Sequence, residues 1–167
     1  MQTDSTESPL RQPFLDAMSQ LTNSVCVVTT DGAGGQAGTT VTAMTPVSAD
    51  SETPSLLICL HVDSLTAQAV AKNAVFAVNV LNDGQSDLAN SFAGRNGATG
   101  PDKYRGVKFQ PGLTGCAHLS EAVAIFDCRM KLQQAWGTHI IFIGEVADVV
   151  LNPPSQVLTY TKRRYLG

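Results

Sequence analysis

Apolar residues Leu10, Phe14, Leu15, Met18 and Leu21 recur at spacings of three and four between Pro9 and Leu21, the stripe of an amphipathic helix. SVCVVTTD (24–31) is rich in β-branched residues and predicts a strand that ends in the glycine-rich turn DGAGGQAG. GTTVTAMTPVS (38–48) resumes strand character, so the two form a hairpin; Pro46 keeps the second run from becoming a helix. SLLICLHV (55–62) predicts a buried strand, Ser64 to Asn73 a short helix, VFAVNVL (75–81) a further strand and SDLANSFAG a second short helix. Residues 96–115, dense in Gly, Pro and polar side chains, predict a long loop. Two long strands, AIFDCRMKLQQAW (124–136) and HIIFIGEVADVVL (139–151), meet at Gly137 and Thr138, and VLTYTKRRYLG closes the chain. Strands joined without regular crossover helices predict a mainly β fold: a closed antiparallel barrel of six or seven strands, of Greek-key type, with a few flanking helices.

Composition narrows the functional classes. The 167 residues suit one domain over 9–167, preceded by a polar lead-in at 1–8 expected to be disordered. Eleven Lys and Arg against 14 Asp and Glu, with no sustained basic run, argue against nucleic acid as a partner. The N-terminus lacks the apolar core of a signal peptide, and no segment has the apolar length of a membrane span, so a cytoplasmic protein without a membrane partner is expected. Cys26, Cys59, Cys116 and Cys128 form no CxxC pair and fit buried thiols in a reducing compartment.

No nucleophile elbow of the GxSxG kind is present, and His61, His118 and His139 lack the spacing of a metal triad, so no metal is expected. Gly32, Gly34 and Gly38 miss the GxGxxG spacing, which favours a turn over a dinucleotide loop. What stands out is the density of neutral hydroxyls in 38–48. A flavin's isoalloxazine ring is a large neutral plate whose edge alternates hydrogen-bond donors and acceptors, and backbone amides with short hydroxyls beside apolar faces suit it. The helix start DSLT offers amides and hydroxyls to a phosphate tail, with Lys103 or an Arg as counter-charge. On the residues alone, the same threonines are also ordinary strand formers, Ser64 an ordinary N-cap, and His139 an ordinary strand-end histidine.

The ordered set FLDAMSQLTNSVCVVTT, GTTVTAMTPVS, PSLLICLHVDSLTAQAV, FAVNVL, LANSFAG, DKYRGV, DCRM and GTHIIFIGEV resembles the flavin reductase family with the FMN-binding split-barrel fold, over about Phe14 to Tyr165. The resemblance implies an NAD(P)H:flavin oxidoreductase, the small reductase half of a two-component flavin-dependent monooxygenase. Such a protein reduces FMN or FAD with NADH or NADPH and releases the reduced flavin to an oxygenase. It further implies that Thr40, Val41, Thr42, Ala43, Met44 and Thr45 line the isoalloxazine edge, that Cys59, Leu60 and His61 follow the ribityl chain, and that Ser64 and Thr66 hold the phosphate. Phe92 and Lys103 would complete the pocket, with His139 near the nicotinamide and Tyr160, Arg164 and Tyr165 of the last strand close by. Arg163 and Arg164 read equally as a solvated basic tail. A homodimer with flavin near its interface is also implied, and the apolar N-terminal helix is a candidate for part of that contact. Two other readings are a split-barrel flavoprotein that keeps its flavin and acts on another acceptor, in the manner of a pyridoxal phosphate oxidase, and a non-catalytic flavin-binding protein.

Overall fold

The computed structural model describes residues 8–167, so the predicted lead-in, apart from Ser8, lies outside the described residues. The N-terminal helix forms as α1 (Arg11–Ser19), shorter than its apolar stripe, and none of its residues is buried. Two contacts fasten its end to the C-terminus: Arg163 Nη2 donates to Asp16 Oδ1 at 2.8 Å, and the Lys162 N–H donates to the Ser19 carbonyl at 2.7 Å.

The β segments follow as β1 (Asn23–Ser24), β2 (Cys26–Thr30), β3 (Ala37–Val41), β4 (Met44–Ser48), β5 (Ser55–His61) and β6 (Val75–Val80). Then come β7 (Phe109–Pro111), β8 (Ala117–Leu119), β9 (Ala124–Trp136), β10 (His139–Leu151), β11 (Thr159–Thr161) and β12 (Arg164–Leu166). Helix α2 (Leu65–Asn73) joins β5 to β6, and α3 (Ser86–Phe92) follows β6. Seven strands make one sheet in the order β3-β2-β6-β9-β10-β5-β4, every neighbouring pair antiparallel. Its two edge strands, β3 and β4, are consecutive in the chain, yet among the described residues no ladder joins them.

Three expectations need correction. Residues 38–48 are two strands, because the chain leaves one edge of the sheet at Val41 and enters the other at Met44, with Thr42 and Ala43 as the corner. The tail is a hairpin, β11 against β12, turning through Lys162 and Arg163 at left-handed φ of 47° and 61°. The region 96–115 is not a bare loop: it holds a 3₁₀ turn (Gly100–Tyr104) and β7.

Strand β2 explains why its sequence reads as a continuous apolar run. Cys26 and Val28 enter one core cluster with Ile58, Leu60, Phe76 and Phe142, while Val25 and Val27 enter a second with Leu81, Phe92 and Leu119. Buried on both faces, the strand needs apolar residues at successive positions. The glycine-rich turn before β3 packs on the end of α2, where Asn73 Oδ1 accepts the Gly34 N–H at 2.5 Å.

Strand β8 is held beneath the sheet by two buried polar residues. Asn79 donates to the Val27 carbonyl at 3.1 Å and to Thr29 Oγ1 at 3.2 Å, and its Oδ1 accepts the Leu119 N–H at 2.8 Å. Asp127, 0% exposed, accepts from the Thr114 N–H at 2.9 Å and lies 3.2 Å from His118 Nε2, and it also binds the Thr114 hydroxyl. Asn79→Ala leaves the buried Leu119 amide without its acceptor, and the expected cost is about 2 kcal/mol. The variant should lower the urea midpoint with the m-value unchanged.

Candidate functional site

Three cavities adjoin β3. The first, about 320 Å³, lies between Gly38, the start of α2 and the 94–100 segment, with Lys103 at its wall. Ser64 caps α2, its Oγ accepting the Thr66 N–H at 3.2 Å, so the Ser64 O–H and the first-turn amides other than that of Thr66 remain for an anion. Lys103 Nζ donates to the Phe92 carbonyl at 2.8 Å and the Gly38 carbonyl at 3.2 Å, tying the 3₁₀ turn to α3 and β3. Burial holds its pKa below the ordinary lysine value. An anion in the cleft would offset that desolvation. Gly38 has to be glycine: a Cβ would stand 2.6 Å from the Phe92 ring and 2.9 Å from the Tyr104 hydroxyl, which donates to the Ala37 carbonyl at 2.7 Å.

The second cavity, about 290 Å³, runs from Thr39 to Ala43 and is closed by Cys59, Leu60, His61 and His139. Strand β5 alternates, so Leu60, 2% exposed, turns into the core while Cys59 and His61 turn outward. His61 and His139 are directly opposed across β5 and β10, their ring centroids 5.3 Å apart and edge to face. The Asp63 N–H donates to His61 Nδ1 at 3.2 Å, and Thr138 Oγ1 lies 3.0 Å from His139 Nδ1. Both rings are thus braced at Nδ1 and present their Nε2 edges. Burial raises the Cys59 thiol pKa and pushes Cys26 and Cys128 to about 11 and about 12, so all three thiols are protonated at neutral pH, and Cys26 and Cys128 pack in the first core cluster.

The third cavity, about 200 Å³, shares Thr40, Val41 and Thr42 with the second and is walled by Ala93, Arg95, Tyr160 and Tyr165. Tyr160 and Tyr165 face each other across the C-terminal hairpin with centroids 5.2 Å apart. Thr40 spends its hydroxyl proton on the Ala89 carbonyl at 2.7 Å, which leaves oxygen lone pairs as acceptors.

The expected site residues therefore divide. Thr40, Val41, Thr42, Ala43, Cys59, His61, Ser64, Thr66, Lys103, His139, Tyr160 and Tyr165 border these cavities. Phe92 is wholly buried in the second core cluster and sets the floor under Gly38, and Leu60 likewise gives its side chain to the core. Met44 packs toward the first core cluster, Thr45 is exposed beyond the corner, and Arg164 borders none of the three cavities. Of the two arginines left open, Arg163 is engaged with Asp16. Sequence reasoning missed Thr39, Arg95 and the wall formed by Gly94, Gly97 and Gly100. All three glycines adopt positive φ, 75°, 82° and 51°, and their spacing of three after SFA was the available signal.

An antiparallel sheet thus brings a capped helix start, a hydroxyl-lined corner and a paired-histidine rim to adjoining clefts of a mainly β protein. The family model described as "Flavin reductase like domain" matches residues 18–167. The FMN reductase (NADH) RutF of Enterobacter cloacae subsp. cloacae is 36% identical over 158 residues, 95% of this chain and 94% of that protein. Among solved structures, the NADH:FAD oxidoreductase SgcE6 of Streptomyces globisporus, in complex with NAD and FAD fragments, superposes with a TM-score of 0.84 at 28% identity, over 94% of this chain and 92% of that one. BorF, the flavin reductase component of a bacterial two-component tryptophan halogenase, gives a TM-score of 0.85 at 25% identity over 94% and 97%. The chain belongs to the flavin reductase like domain family.

Lys103→Met removes both carbonyl clamps. The expected loss is about 1–3 kcal/mol, together with faster amide hydrogen exchange between Gly94 and Gly100 while the strands of the main sheet stay protected.

Proposed function

We propose that this chain is an NAD(P)H-dependent flavin reductase that passes reduced flavin to a partner monooxygenase. The observation that carries the reading is the Thr42–Ala43 corner, which lies between the capped start of α2 and the His61–His139 pair. The residues fit a flavin: short hydroxyls and an unladdered strand edge for the ring, a helix start with Ser64, Thr66 and Lys103 for the phosphate. Once bound, the flavin supplies the hydride acceptor. Thr40, Val41, Thr42 and Ala43 hold its polar edge, and fixed dipoles there favour the added electron density without a formal cation. Cys59 and His61 border the ribityl chain. His139 positions the nicotinamide, for hydride transfer needs close stacking more than acid or base. Met44, Thr45, Leu60 and Phe92 support the pocket from the core or the backbone, and Arg164 has the weakest claim to a role.

The names of the relatives favour FMN and NADH within the broader choice of FMN or FAD and NADH or NADPH, and they favour a reductase over a protein that keeps its flavin for another acceptor. BorF's description as the reductase component of a halogenase supports an oxygenase-type recipient of reduced flavin. We further infer a single split-barrel domain over 9–167, in which the corner at Thr42 and Ala43 closes the sheet covalently. Four free cysteines fit a cytoplasmic setting, and among the described residues no helix is long and apolar enough to cross a membrane.

A homodimer is supported by apolar surface in two places. Phe14 on α1 is 62% exposed. On the outer face of β9 and β10, Trp136 is 78% and Leu132 48% exposed, and Trp136 stands opposite His139. Burying such a face on a second copy is the economical arrangement.

The reading is tested by mixing protein anaerobically with each pairing of FMN or FAD and NADH or NADPH, and following the flavin's visible absorbance. Catalytic bleaching is expected, fastest with FMN and NADH; flavin binding without acceleration over a protein-free control would sink the proposal. Separately, light scattering after size exclusion should give a dimer for the native chain and a monomer for Leu132→Asp/Trp136→Asp. A native monomer that is fully active at low concentration would remove the dimer from the account.

A further inference from the structure

The third cavity is left without an occupant by the proposed placement of the flavin. Its ring lies along Thr40–Ala43 and its phosphate at α2, whereas Arg95, Tyr160 and Tyr165 line a separate cavity that shares Thr40, Val41 and Thr42. The 93–100 segment divides the two clefts: Gly94, Gly97 and Gly100 line the phosphate side, and Ala93 and Arg95 line the aromatic side.

Arg95 is built into this position. Its backbone N–H donates to the Asn90 carbonyl at 3.1 Å, its Nη1 donates to Asn90 Oδ1 at 3.0 Å, and its guanidinium lies 5.4 Å from the centre of the Tyr165 ring. Tyr165 in turn packs edge to face on Tyr160. Among the described residues, Arg95 forms no ion pair, whereas Arg105 is paired with Asp102 and Arg163 with Asp16. A guanidinium has five N–H donors in a planar fork, and stacking occupies its face while leaving edge donors unspent. A pre-positioned cation without a carboxylate, beside two aromatic rings and next to the ring-binding threonines, matches an anionic nucleotide with a planar base.

We propose that Arg95 is a specificity-determining residue that binds the phosphates of the hydride-donating nucleotide, with Tyr160 and Tyr165 as the aromatic wall beside it. The inference rests on the flavin reductase reading. Arg95 takes no part in the flavin phosphate cleft, so its effect is confined to one of the two substrates.

The test compares the native protein with Arg95→Gln and Arg95→Lys in steady-state assays that vary NADH and FMN separately. Arg95→Gln should raise KM for NADH roughly 10–100-fold, the loss of a charge-assisted contact, with KM for FMN and the melting temperature unchanged. Arg95→Lys should fall between the two, keeping the charge and losing the fork. KM for NADH should climb with ionic strength in the native protein and stay flat in Arg95→Gln. An equal rise in both KM values, or none for NADH, overturns the assignment. Calorimetric titration with ADP separates this inference from the reading beneath it. ADP that binds the native protein and not Arg95→Gln upholds the site even if no flavin is reduced; equal ADP binding by both rejects it.

Discussion

The site depends on one constraint of chain geometry: the polypeptide passes from one edge of a seven-stranded sheet to the other within two residues, Thr42 and Ala43. An edge strand has a row of backbone donors and acceptors with no strand beside it. Here two such edges are consecutive, so their unspent groups converge on one corner. Thr42 borders both the second and the third cavity for this reason. The feature that leaves the sheet without a closing ladder is thus the feature that gives it somewhere to bind a ligand.

Everything else near the corner fixes its position. Gly38 lets β3 descend onto Phe92 and Tyr104, and Lys103 clamps the Gly38 and Phe92 carbonyls from the other side. On the opposite rim, β5 and β10 set His61 against His139 by register alone. These elements are rigid because β2 and β6 are buried on both faces beneath them. The second cavity therefore has walls set by the sheet, while the first and third share the 93–100 segment, a more exposed partition. Family kinship accounts for the order of these parts, and the packing accounts for why each can serve.

Much of this was legible in the sequence, and the boundary is physical. Strands β9 and β10 are legible to the residue, because Gly137 turns between them with φ of 58° and β10 is rich in Ile and Val. The corner was not legible: TTVTAMT keeps strand propensity throughout, and nothing local says that its second half pairs with a different partner. The C-terminal hairpin was missed because Lys162 and Arg163 adopt left-handed φ without a glycine or asparagine to announce it. The inward turn of the Leu60 side chain is legible, for the alternation of β5 sends it to the core once Cys59 and His61 face out. The burial of Phe92 is not, since it depends on a glycine 54 positions earlier in the chain.

The same division governs which charges are free to act. A sequence lists 11 Lys and Arg without distinction, but the fold commits several of them. Arg163 is paired with Asp16, Arg105 with Asp102 and Lys131 with Glu145, whereas Lys103 is tied to two carbonyls that leave its charge unneutralised. Arg95 is held by an amide and an aromatic face, partners that fix its direction while leaving its charge unneutralised. In a protein whose two substrates are both anionic at one end, separate cations on opposite sides of one glycine-rich partition let each be gripped independently. The reacting rings can then meet at the corner between them, where the protein itself carries no charge.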